Sequence, residues 1–168
     1  MINTTLPQSN TAPVCTTLGS GVWLAFRHIA GTSAPAVPPP AAGAHLLSVE
    51  FCRRGRHALP AGDYCTIAAD GHAAVSMTAA GADDYYPGAV YEGLQFWIDP
   101  DAQTDSGFLA LMGLDVHGII NYFCAGGPYY CPMGDELAAL VDELWREFDV
   151  SGYASPGELR YAVVRLLY

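Results

Sequence analysis

The chain has 168 residues, with seven arginines, no lysine and 17 acidic side chains, for a formal charge of −10. That length suits one domain able to bury roughly two-thirds of its extended surface, so folding needs neither a disulfide nor a metal. The absence of lysine removes Schiff-base chemistry and a Lys-bearing phosphate loop, and the acid balance argues against a grip on nucleic acid or an anionic membrane surface.

Residues 1–17 are rich in Thr, Pro, Ser and Asn and read as a flexible arm, without the basic and apolar regions of a secretory signal. Gly19 and Gly21 open an aromatic-rich run, 22–29, that reads as a strand ended by Gly31. Residues 32–44, with Pro35 and Pro38 to Pro40, read as a long loop between strands. From His45 to Asp99 turn signals recur at about the eight- to twelve-residue spacing of a sandwich or barrel. Strands are expected at 46–53, closed by Arg54-Gly55-Arg56, then at 64–67 and 73–77, with turns at Pro60 to Asp63 and at Asp70-Gly71. Asp83-Asp84 reads as loop acid before Pro87-Gly88. The clearest strand is 90–99. Val90, Glu92, Leu94, Phe96 and Ile98 share one face, and Tyr91, Gly93, Gln95, Trp97 and Asp99 the other.

After Pro100 the period changes from 2 to 3.6. Residues 104–113 and 115–124 read as short helices with acidic starts, and 129–133 as an extended piece. Residues 135–148 form an amphipathic helix, with Leu137, Leu140, Val141, Leu144, Trp145 and Phe148 on its apolar stripe. Ser155-Pro156 supplies an N-cap and first-turn proline for a last helix carrying Leu159, Ala162, Val163, Leu166 and Leu167. Its apolar, uncapped ending at Tyr168 reads as a chain cut from something longer, or as an edge buried against a partner.

Sites for chemistry are sparse. His28, His45, His57, His72 and His117 never fall at the H-x-H or H-x-x-x-H spacings that set two imidazoles on one face, so no metal is expected. The five cysteines form an odd set without C-x-x-C and read as reduced thiols of a cytoplasmic protein. No nucleophile elbow occurs, and Asp135-Glu136 reads as a favourable helix start, so no catalytic residue is assigned. Arg53-Arg54-Gly55-Arg56-His57 stands apart, because it holds three of only seven cations. It is either a solvated hairpin end, or a strand end that sends one arginine into a barrel to bind a polar or anionic ligand. Glu50, Cys52 and Arg54 share one strand face, and Phe51 and Arg53 the other.

The series Leu47-Ser-Val-Glu-Phe-Cys52-Arg-Arg-Gly55-Arg56, Gly62-Asp-Tyr64-Cys, Tyr91-Glu-Gly93-Leu-Gln-Phe-Trp-Ile-Asp99, Gly113-Leu-Asp115 and Tyr122-Phe-Cys124 resembles the N-terminal regulatory domain of AraC-type transcriptional regulators. The likeness runs over residues 19–168. It implies an α+β fold, a cupin-like β-barrel of jelly-roll type over about residues 19–100, followed by helices that dimerise. It also implies a small-molecule effector, sugar-like or anionic, with no cofactor, and DNA binding by a helix-turn-helix domain absent from this chain. Arg54-Gly55 matches the pair that supplies an arginine to the ligand in sugar-responsive members. The expected ligand set is therefore Arg54, with Glu50, Cys52, Glu92, Leu94, Phe96 and Trp23. The expected homodimer surface is Leu137, Leu140, Val141, Leu144, Trp145, Leu159, Val163 and Leu166. Two other readings compete: a small cupin-type enzyme acting on a sugar or small acid, and an interaction module with a filled barrel.

Overall fold

Alternating apolar side chains before residue 100 and a helical period after it give a strand-rich half followed by helices. The computed structural model describes residues 14–19, 21–35, 45–61, 63–79, 83–103, 107–151 and 156–167. Nine strands among them are β1 (Val14–Gly19), β2 (Val22–Ala30), β3 (Ser33–Pro35), β4 (His45–Ala61), β5 (Tyr64–Ala69), β6 (His72–Ala79), β7 (Asp83–Tyr85), β8 (Val90–Ile98) and β9 (Tyr129–Pro132). The helices are α1 (Phe108–Leu111), α2 (Val116–Phe123), α3 (Asp135–Ser151) and α4 (Pro156–Leu167).

The main sheet runs β1-β2-β8-β4-β6-β9, and a smaller one forms where β5 and β7 pair with the second half of β4 and β3 pairs with β7. All pairings are antiparallel. The long strand β4 belongs to both sheets. Cys52 pairs with Gly93 and Arg54 with Glu92, so two steps along β4 match one along β8, and Arg53 is the extra residue of a bulge. Gly55 follows at φ +91°, where a Cβ would lie 2.0 Å from the Val90 carbonyl oxygen. Only glycine fits that turn. The Gly55 N–H donates to Asp70 Oδ1 at 2.5 Å, pinning the bend to the β5–β6 turn.

Four expectations change here. Residues 14–17 belong to β1, hydrogen-bonded to β2, rather than to an arm, because Thr16 and Thr17 continue a β-favouring run; residues 1–13 lie outside the described residues. The 46–53 strand does not stop at Arg54 but bends and continues to Ala61. The barrel is open: β1 and β9 are edge strands, and β9, from beyond residue 100, covers the outer edge of β6. Of the long loop, Ser33–Pro35 is strand β3 and 36–44 lie outside the described residues.

The helices pack on one face of the main sheet. Leu24, Phe26, Leu47, Val49, Phe51, Leu94, Phe96 and Ile98 meet Leu109, Val116, Val141, Val163 and Leu166 in one apolar core. Burial of each such side chain stabilises the fold by roughly 1.5–3 kcal/mol before entropy is counted. Asp115 caps α2 by accepting from the Gly118 N–H at 2.9 Å, and α3 carries Asp135 and Glu136 in its first turn, where the helix dipole favours acids. This packing corrects the expected partner surface. Val141, Val163 and Leu166 are buried within the domain itself, Leu137, Leu140, Leu144 and Trp145 lean on the same core, and the Leu159 side chain lies outside the described residues.

Candidate functional site

The face of the main sheet opposite the helices is also covered, and its lining is polar. β8 lies between β2 and β4, so its second row, Tyr91, Gly93, Gln95 and Trp97, is as buried as its first. Facing the same interior are Arg27 of β2, Ser48 and Glu50 of β4 before the bulge, His57 of β4 after it, and Asp84 and Tyr86 from β7 and its end. Glu50 and His57 are seven residues apart, which in a regular strand would put them on opposite faces. The extra residue of the bulge reverses the alternation and brings them together.

Three ion pairs occupy this interior. Arg27 is fully buried and donates through Nη1 to Asp84 Oδ2 and to Gln95 Oε1, the latter at 2.8 Å. Gln95 Nε2 in turn donates to Ser48 Oγ at 3.2 Å. His57 Nδ1 lies 2.5 Å from Glu50 Oε2 and Nε2 lies 3.5 Å from Asp84 Oδ1. The Tyr86 hydroxyl donates to Asp84 Oδ2 at 3.2 Å. Aromatic faces enclose the charges. The Tyr86 ring stacks on His57 at 4.8 Å and meets Tyr91 at 4.9 Å, while Arg27 lies 5.3 Å from the Tyr86 centroid and 5.9 Å from that of Trp97.

The electrostatics follow from these contacts. Burial lowers the affinity of His57 for a proton, but Glu50 and Asp84 outweigh it and raise its pKa to about 9, so the ring is cationic at neutral pH. Burial likewise disfavours ionised Asp84, yet His57 and Arg27 together hold its pKa below the ordinary carboxylate value. Burial pushes the Cys52 thiol and the Tyr91 hydroxyl up, with Glu50 adding to both, so both stay protonated. Two cations thus face two carboxylates. Glu50 Oε1 is buried, and among the described residues no hydrogen bond reaches it.

Of the expected ligand set, the structure brings Glu50, Cys52 and Trp23 to this inner face: Cys52 packs with Ile29, Tyr86 and Tyr91, and Trp23 against Ala25, Leu46 and Trp97. Leu94 and Phe96 point the other way, into the core beneath the helices. Glu92 is on that side too, held by Arg53 at 2.8 Å. The bulge turns Arg54 outward: its side chain is 66% exposed, 3.7 Å from Glu92, at the rim of a shallow hollow of about 260 Å³ with Arg56, Asp70 and Gly88. The arginine on the inner face is Arg27. Asp84, read as loop acid, is its partner. One signal for Arg27 was present, since it is the only charged side chain in the run from Val22 to Ile29 apart from the neighbouring His28. Among the described residues no group of three His, Cys, Asp or Glu side chains is arranged to hold a metal ion, and no helix is long and apolar enough to cross a membrane.

The sequence matches no protein-family model and no curated protein. Among solved structures, the AraC-like transcriptional activator CuxR superposes on 92% of this chain and 54% of its own, with a TM-score of 0.53 and 11% identity. The fold is that of an AraC-like activator's matched half. ToxT from Vibrio cholerae aligns more loosely, over 79% of this chain and 53% of its own, with a TM-score of 0.38 and 8% identity. The chain spans about half the length of either structure. The superposition agrees with the α+β fold that the resemblance implied.

Proposed function

We propose that this chain is the effector-sensing and dimerising part of a transcription regulator, with a small polar effector received on the inner face beside Arg27, Glu50, His57 and Asp84. The observation that carries this reading is that buried Arg27, Glu50 and His57 and half-buried Asp84 meet in an interior walled by Tyr86, Tyr91 and Trp97. Buried ion pairs contribute little net stability compared with apolar packing, so such a cluster points to binding rather than to folding. Glu50 Oε1 offers an acceptor to a hydroxyl or amine of the effector. The fold shared with an AraC-like activator supports a regulatory role, and we assign DNA contact to the portion of such a regulator that these residues do not span. A dimer would draw on the uncovered edges of Leu137, Leu140, Leu144 and Trp145 rather than on the buried Val141, Val163 and Leu166.

Calorimetric titration with monosaccharides and small carboxylic acids tests the site. For any compound that binds, Arg27→Ala weakens binding by about 30-fold or more, the loss expected for a charge-assisted hydrogen bond. Unchanged affinity in a folded Arg27→Ala variant would place the effector elsewhere. Light scattering tests the dimer, and a monomer at high concentration would remove that part of the reading.

A further inference from the structure

Two of the strands that supply interior charges, β2 and β4, also contact α3. On β4, Glu50 faces inward, and Arg53, the residue inserted at the bulge, lies on the other side with Phe51. There Arg53 Nε donates to Asp142 Oδ1 at 2.6 Å and Nη1 to Glu92 Oε2 at 2.8 Å, with the guanidinium 5.4 Å from the Trp145 ring centroid. On β2, Arg27 faces inward, and its neighbour Phe26 faces the helices, its ring 6.0 Å from that of Trp145. Asp142 and Trp145 are three residues apart and share one face of α3. Both routes from the interior therefore end on the same turn of one helix.

We propose that Arg53 is the positioning residue that couples the interior site to α3. Glu50 and His57 clasp the bulge from inside, and Arg53 is the residue the bulge inserts. An occupant that draws on Glu50 or His57 shifts the bulge, and Arg53 carries that shift to Asp142 and Trp145. The side chain is one-third exposed, so its ion pairs are partly screened. What makes it a coupler is geometry. A planar fork can bond two carboxylates on different elements while stacking on an indole, which an ammonium cannot reproduce. The proposal rests on the interior being an effector site for its purpose, but the coupling itself is present without a ligand.

Hydrogen–deuterium exchange of the full chain, read by mass spectrometry on peptides covering 135–146, tests it. Arg53→Gln is expected to raise exchange there about tenfold, a local opening easier by 1.4 kcal/mol. Glu50→Gln raises it about threefold when Arg53 is present, and leaves it unchanged in the Arg53→Gln background, the non-additivity expected of coupled residues. Arg53→Lys keeps the charge and still loses the response. Equal effects of Glu50→Gln in both backgrounds overturn the proposal, as does unaltered α3 exchange in Arg53→Gln. Should Glu50→Gln fail to fold, Ser48→Ala, which removes the acceptor of Gln95, serves as the interior perturbation. Because no ligand is added, failure to find an effector leaves this result standing. An effector that binds while α3 stays uncoupled refutes the coupling alone.

Discussion

Raising the pH should loosen this domain, and His57 is the cause. Its pKa is about 9 in the fold, against an ordinary value near 6.5 for an unfolded histidine. A group whose folded pKa is raised stabilises fully below the unfolded value, and that stability is lost as pH climbs toward the folded one. Between pH 5.5 and 8.5 the unfolded histidine releases nearly all of its proton while the folded one keeps most of its own. Linkage over that window gives a loss of about 2–3 kcal/mol. With a urea slope of about 2 kcal/mol/M, the unfolding midpoint drops by roughly 1 M. Asp84, held below the ordinary carboxylate range, contributes its stability above the unfolded value near 4 and is flat across this window. Urea unfolding at pH 5.5, 7 and 8.5, in parallel with His57→Gln, is the assay. The variant should be less stable at the acid end and nearly independent of pH. A flat wild-type profile, or one equally steep in His57→Gln, would refute the claim that Glu50 and Asp84 hold a proton on this ring.

Three further outcomes follow from packing. Gly93→Ala places a Cβ 2.4 Å from the Tyr91 hydroxyl and 2.7 Å from the Phe51 carbonyl oxygen, so thermal unfolding should report a loss of roughly 2–3 kcal/mol from overpacking. Gly55→Ala meets both an unfavourable φ and the Val90 carbonyl; soluble expression should fall sharply, and any folded fraction should lose the native near-ultraviolet circular dichroism of the Tyr86–Tyr91 pair. Leu166→Ala should cost roughly 3 kcal/mol at every protein concentration, as a core cavity does. A loss that shrinks as the protein is concentrated would instead put Leu166 in the dimer contact.

Much of the fold was legible in local pattern. The alternation of 90–99, the 3.6 period of α3, the proline start of α4 and the turn at Asp70-Gly71 all appear where expected, because each depends on residues close in sequence. The site was legible only in part. Of the expected ligand set, Glu50, Cys52 and Trp23 lie on the inner face, while Arg54 was expected there and lies outside it, and Arg27 was not expected and lies on it. The misplacement of Arg54 has one source. Alternation counts faces reliably only in an unbroken strand, and a single inserted residue inverts every assignment beyond it. Asp84 was missed for a different reason, since nothing local distinguishes an acid on a short strand from one on a loop.

The sequence alone determined that this is a strand-rich, lysine-free acidic domain with helices after residue 100, and that three of its seven cations sit beside residue 55. It also contained the reason for the bend, a glycine where no Cβ fits. Only the tertiary structure decided which cations are buried. The bulge at Arg53 turns Arg54 away from the interior and carries His57 onto Glu50, and the closure of β7 on β4 brings Asp84 within reach of Arg27 and His57. Those pairings join residues 7 to 57 positions apart. They are set by register and strand curvature, which depend on how the whole sheet packs and not on any one segment's pattern.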